Sequence, residues 1–203
     1  MSTLAVPLTL SDVVPVRRWR TATLVFGGAL LTTAAAQVRI PLGFTPVPLT
    51  GQTFAVLLVG ATLGARRAAA SQTLYWVMAL IGLPVLSNGQ GGWSVATGAT
   101  AGYVVGFIAA AALVGYLSER GQDRSLATSI PQMLLGSVVI YVTGVSWLAH
   151  SLNVPFYSKT GKDAFTYGLT PFIVGDLLKM LLAAAITPAA WALVSRRTRN
   201  DGA

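Results

Sequence analysis

The chain has 203 residues, of which 54% are hydrophobic and only 10% charged, with a mean hydropathy of +0.66 and a net charge of +8. A water-soluble domain carries about 25% charged residues, so this composition excludes an ordinary soluble fold and predicts one membrane domain. The bases sit in short clusters between apolar runs, which reads as membrane topology and not as a nucleic-acid surface, and the absence of cysteine excludes disulfides and thiol chemistry.

The apolar runs are rich in Ala, Leu and Gly, a pattern that suits helices crossing a hydrocarbon core ~30 Å thick. The period-two alternation of a membrane barrel is missing. Residues 1–20 are mixed in polarity and end in Arg17, Arg18 and Arg20, as expected of a cytoplasmic lead-in. Six apolar runs follow, at 21–38, 49–63, 68–83, 99–117, 131–149 and 171–194. The second and third are short for full spans. The predicted fold class is all-α: a polytopic membrane protein with six transmembrane helices over 21–194 and a cytoplasmic tail at 195–203.

With the N-terminus inside, ten of the fourteen Lys and Arg residues fall in inside segments. Arg39, Lys159 and Lys162 fall outside, and Lys179 lies within the last run. That asymmetry follows the positive-inside rule and predicts both termini in the cytoplasm. The inside connections are short or charged, at 63–67 and 118–124. The outside ones, at 40–48, 84–98 and 150–168, are poor in charge and rich in Gly, Pro and aromatics. Pro41, Pro46 and Pro48 exclude a helix and favour an extended path. Two readings stay open for these loops: a lid over a pocket, or plain connectors.

Asp176 and Lys179 are the most informative residues. Thr170 and Pro171 form an expected start for the last helix, and the i, i+3 spacing puts the acid and the base on one face. Each charge within a span costs about 2.5–3.5 kcal/mol. Ionisable residues there usually face the bundle interior and mark a substrate path. The alternative is a structural ion pair locking helices together. A carboxylate accepts N–H groups and an ammonium donates to oxygen, so a small ligand with a urea or amide group suits the pair better than a metal or a bare ion.

Further polar residues gather on the same predicted side. Thr50, Gln52 and Thr53 open the second run, Asn88 lies in a Gly-rich turn, and Thr97, Thr100 and Tyr103 open the fourth. Apolar walls with a few directed polar groups describe a small-molecule pocket. Trp93 and Tyr103 also suit an interfacial aromatic belt. Gly28, Thr32 and Ala36 form a small-residue face suited to close helix packing or to docking another membrane protein. Gly161-Lys162 lacks the rest of a Walker A sequence, so no ATP site is expected. His150 is the single histidine, and neither a zinc site, a catalytic triad nor a cofactor is expected.

The stretches Ile40-Pro41-Leu42-Gly43-Phe44-Thr45-Pro46-Val47-Pro48-Leu49-Thr50-Gly51-Gln52-Thr53, Gly98-Ala99-Thr100-Ala101-Gly102-Tyr103 and Gly175-Asp176-Leu177-Leu178-Lys179 resemble the BioY family. These are the biotin-binding S components of energy-coupling-factor (ECF) transporters. One departure is visible: Ala99 and Ala101 stand where the family often has Pro and Gly. The resemblance implies six helices in the bacterial inner membrane, a biotin pocket near the outer face, and no enzymatic activity. It also implies partnership with a transmembrane coupling protein and two ATPases. By resemblance Asp176 and Lys179 line the pocket, with Asn88 and Tyr103 as further contacts. Asp176 is expected to accept a ureido N–H, and Lys179 to donate to the ureido oxygen or the valerate carboxylate. Gln52, Thr50 and Thr100 complete the candidate ligand-binding set. A vitamin other than biotin, an intramembrane enzyme using Asp176, and a ligand-free scaffold are the competing readings.

Overall fold

The computed structural model describes residues 9–13 and 19–200, with side chains through Arg196. Residues 1–8, 14–18 (with Arg17 and Arg18) and 201–203, parts of the two predicted cytoplasmic segments, lie outside that set. A 3-10 turn at Leu10–Val13 precedes α1 (Arg20–Gln37). A small antiparallel hairpin follows, β1 (Arg39–Ile40) paired with β2 (Leu49–Thr50), placing Arg39 opposite Thr50. Then come α2 (Gln52–Leu63), α3 (Ala65–Leu80), α4 (Trp93–Ala96), α5 (Ala101–Ser118), α6 (Leu126–Leu152), α7 (Ala164–Gly168) and α8 (Ile173–Asn200). The described chain is predominantly helical; the hairpin and an isolated antiparallel bridge between Leu86 and Gln90 depart from the all-α expectation.

Among the described residues three segments are long and apolar enough to cross a membrane: Ala101–Ser118, Leu126–Leu152 and Ala164–Arg196. Large apolar side chains stand exposed along α1 (Phe26, Leu30, Leu31), α6 (Leu134, Leu135, Val138, Val142) and α8 (Val174, Leu177, Leu178, Leu182). Exposed apolar area on this scale would drive aggregation in water and is stable against lipid. Inside the bundle, polar side chains pair across helices instead. Thr32 meets Gln72, Gln132 donates to Ser118 and to the Val114 carbonyl, and Ser129 meets Thr187.

The central α5 packs on α6, α3 and α2 and gets close to them through glycines. A Cβ at Gly102 or Gly106 would collide with Trp147 or Thr143 of α6, and one at Gly115 with the backbone of Gly64 and Ala65. Gly28 of α1 lies similarly tight against Ser71 of α3. The small-residue face of Gly28, Thr32 and Ala36 is therefore used for internal packing, each of the three being buried.

Two helix starts differ from expectation. The inside connection at 63–67 shrinks to Gly64 (φ 80°), a left-handed backbone that glycine adopts without a Cβ penalty. Arg66 and Arg67 instead form the first turn of α3, whose free N-terminus is capped by Glu119 Oε1 accepting from Ala65 N at 2.9 Å. The predicted fifth run begins at Pro131, yet α6 starts at Leu126, with Ser125 accepting from the Thr128 N–H as its N-cap. Pro131 is carried inside the second turn of the helix, where it removes the N–H that would otherwise bond to the Ala127 carbonyl.

Near these helix ends Asp12 joins Arg20 and Arg67 at 3.0 and 2.9 Å. Burial pushes the Asp12 carboxyl up, and the Arg67 guanidinium with Thr9 more than offsets this, holding it below its ordinary value. Asp123 is fully buried and accepts from the Trp191 indole at 2.7 Å, and burial pushes its carboxyl up.

Candidate functional site

The β1–β2 hairpin, the turn at 83–92 and the first turns of α2, α5 and α8 gather at one end of the bundle around a cavity of about 310 Å³. That is at the lower end of small-molecule sites, roughly 300–1,000 Å³. The proline-rich stretch forms its rim, with Pro41, Leu42, Pro46, Val47 and Pro48 all lining it. The Thr45 hydroxyl donates to the Tyr167 carbonyl at 2.7 Å, which ties this rim to α7. Val104, Phe107, Ile140 and Phe172 supply apolar wall deeper in.

The polar floor is Asp176 in the first turn of α8, where the helix N-terminus favours a negative charge. Gly175 beside it lets Leu49 of β2 pack close, since a Cβ there would meet Leu49 Cδ1 at 3.3 Å. Three donors converge on the Asp176 carboxylate. The Tyr141 hydroxyl reaches Oδ2 at 2.5 Å, while Lys179 Nζ at 2.6 Å and the Thr53 hydroxyl at 3.2 Å reach Oδ1. A carboxylate has about four lone-pair sites, so room for about one more donor is left. Lys179 also donates to the Thr50 carbonyl at 2.5 Å, leaving one of its three N–H bonds. The acid and base thus face the cavity as a compensated pair, each with spare hydrogen-bonding capacity.

From Lys179 a chain of hydrogen bonds runs outward. The Thr50 hydroxyl donates to Gln52 Oε1 at 2.9 Å, Gln52 Nε2 donates to the Tyr75 hydroxyl at 2.7 Å, and Tyr75 donates to the Val85 carbonyl at 3.3 Å. Gln52 lines the cavity, but both ends of its amide are engaged within the protein, which makes it a positioning group.

Tyr103 is seated by two glycines. A Cβ at Gly144 would overlap its ring, and one at Gly168 its hydroxyl. Its hydroxyl donates to the Gly168 carbonyl at 2.7 Å, and its ring meets that of Tyr141 edge-on at 6.4 Å between centroids. Of the predicted contacts, Asp176, Lys179, Tyr103, Gln52, Thr50 and Thr100 all line the cavity. Asn88 does not. It occupies a left-handed backbone position (φ 65°) and is exposed, while its neighbours Ser87 and Gln90 line the wall. The Ser87 hydroxyl is buried with no partner among the described residues. Trp93 is exposed and outside the lining.

Sequence reasoning missed Tyr141, Ser87 and the wall position of Arg39. Tyr141 had one available signal: a tyrosine in the middle of an apolar run needs a partner for its hydroxyl.

The BioY family model matches residues 5–196. The biotin transporter BioY of Rhizobium etli is 39% identical over 154 residues, covering 72% of this chain and 79% of its own. That of Rhodobacter capsulatus is 36% identical, covering 78% and 85%, and that of Thermotoga maritima 36%, covering 77% and 86%. A crystal structure of the S-component for biotin from an ECF-type ABC transporter superposes with a TM-score of 0.73 at 26% identity, covering 84% of this chain and 89% of that one. Sequence and architecture agree along nearly the whole length, and the chain belongs to the BioY family.

Proposed function

We propose that this chain is the substrate-binding subunit of a biotin transporter, which captures biotin in the cavity above Asp176 and passes it across the bacterial inner membrane. One observation carries the reading: a carboxylate and an ammonium share the floor of a cavity walled in part by Pro, Leu, Val and Phe side chains, each with a hydrogen-bonding position free. Biotin's ureido ring presents N–H donors beside a carbonyl acceptor, and the fused thioether ring and valerate chain suit the Pro, Leu, Val and Phe walls. Tyr103, Thr50, Gln52 and Thr100 shape or contact the site, and Asn88 is a candidate contact carried on the turn that holds Ser87 and Gln90. Transport returns its ligand unaltered, so the chain is a transporter component and not an enzyme.

In this reading six helical segments, α1, α2, α3, α5, α6 and α8, traverse the membrane with both termini in the cytoplasm. The cavity end then faces outward. The share of large apolar side chains exposed on α1, α6 and α8 supports lipid on those faces. The partners are an ECF transmembrane coupling protein and two ATPases, which supply the energy for transport.

Equilibrium dialysis of the purified chain against labelled biotin, riboflavin and thiamine tests the reading. Saturable binding of biotin in preference to the others is expected; tighter binding of another vitamin, or none at all, overturns it. Biotin uptake in cells with and without the ATPase module tests the partnership.

A further inference from the structure

We infer that Arg39 is the anchor for the ligand's carboxylate, so that the site selects the free acid over neutral derivatives; this rests on the biotin reading above. Among the residues lining the cavity three carry formal charge: Arg39, Lys179 and Asp176. Lys179 is compensated, with Asp176 at 2.6 Å. Arg39 has no ion pair and no side-chain hydrogen bond to any described residue. The lining therefore carries one uncompensated positive charge.

Its placement follows from the hairpin. Arg39 stands directly across the ladder from Thr50, the residue whose carbonyl holds Lys179. Two cations therefore belong to one wall, and Asp176 answers only one of them. Charge in a desolvated cavity is screened far less than in water, so the wall favours an occupant bearing a single negative charge. A guanidinium presents planar paired N–H donors that match a carboxylate bidentately. The same lining also holds apolar side chains, among them Pro41, Leu42, Pro46, Val47 and Pro48, which suit a hydrocarbon linker. The ligand class defined by these three parts is a neutral hydrogen-bonding head, an apolar spacer and a terminal carboxylate.

The test compares biotin with biotinamide, its neutral primary amide of the same size, by equilibrium binding to the detergent-purified wild type and to Arg39→Gln. A hydrogen-bonded charge pair sets the wild-type preference for the acid at about 10- to 100-fold. Arg39→Gln binds both ligands alike, with amide affinity as in the wild type, which reports an intact fold and floor. Arg39→Lys, which keeps the charge and loses the planar fork, retains an intermediate preference. If the wild type binds acid and amide equally, Arg39 is not an anchor while the biotin reading stands. Retention of the full preference by Arg39→Gln, or loss of amide binding along with acid binding, also overturns the assignment. Failure of the wild type to bind either ligand overturns the biotin reading and this inference with it.

Discussion

Replacing Asp176 by asparagine changes charge and hydrogen-bonding capacity while keeping size. The carboxylate offers about four lone-pair sites, and Tyr141, Lys179 and Thr53 use three. The carboxamide oxygen has two. With that oxygen facing Lys179 and Thr53, both are filled, and the NH₂ faces Tyr141, whose hydroxyl can rotate to accept. The protein's own network survives, but nothing remains for a ligand N–H. The expected loss is that of one hydrogen bond to a charged group, about 1.5–3 kcal/mol, or roughly 10- to 150-fold in affinity. Isothermal titration of biotin into wild type and Asp176→Asn measures it, and thermal unfolding without ligand checks that the variant is folded. An affinity within threefold of wild type would show that no ligand donor uses the position left open on Asp176.

Four further outcomes are expected. Tyr141→Phe removes one donor to Asp176 but leaves the ligand's position free, so apo stability falls by about 1.5–3 kcal/mol while biotin affinity changes less than in Asp176→Asn; the reverse order in paired melting and titration data refutes the role given to Tyr141. Ser87→Ala deletes a buried hydroxyl with no partner among the described residues and is expected to leave unliganded melting unchanged or slightly raised while weakening biotin roughly 3- to 10-fold; unaltered affinity shows that the hydroxyl does not meet the ligand. Gly144→Ala drives a methyl into the Tyr103 ring, and overpacking of this kind costs about 1–3 kcal/mol; an unshifted melting curve counts against the seating of Tyr103.

Asp163, the N-cap of α7, accepts from the backbone N–H groups of Thr166 and Ser158, and these hold its carboxyl below the ordinary 3.8. A carboxyl depressed by folding contributes stability above its unfolded value and loses it as the pH falls through the folded one. Hydrogen-exchange protection in 158–168, taken relative to each amide's intrinsic rate at the same pH, is therefore expected to fall below about pH 3.8 in wild type and to be lower and less pH-dependent in Asp163→Ala; equal acid sensitivity of the two proteins rules the cap out as its source.

Hydropathy made most of the helical order legible, because runs of Ala, Leu and Val in this length range have one stable form in lipid. The same signal misplaced the starts of α3 and α6. Arginine is a good helix former, so Arg66 and Arg67 join α3 although their charge reads as loop. Ser125 caps α6 in a polar stretch that hydropathy discards. The short α4 and α7, of four and five residues, do not repeat the 3.6-residue helical period and so leave no periodicity to detect. In the site, Asp176 and Lys179 were legible because charge in an apolar run has few explanations. Position 88 shows the limit: composition located the Gly-rich turn, but which side chain faces inward depends on a backbone torsion. With φ at 65°, Asn88 turns outward and Ser87 inward. Arg39 was read for its side of the membrane alone, since its place in the cavity wall depends on a hairpin of two-residue strands too short to leave a pattern.

The row of hydrogen bonds from Asp176 through Lys179, Thr50, Gln52 and Tyr75 to Val85 crosses α8, β2, α2, α3 and the turn beyond it. Segments distant in sequence are thereby coupled mechanically, like beams sharing one tie-rod. The terminal fastening is the long one, 3.3 Å from Tyr75 to Val85 against 2.7 Å from Gln52 to Tyr75. That long last link makes the Val85 turn the most loosely tied segment of the row.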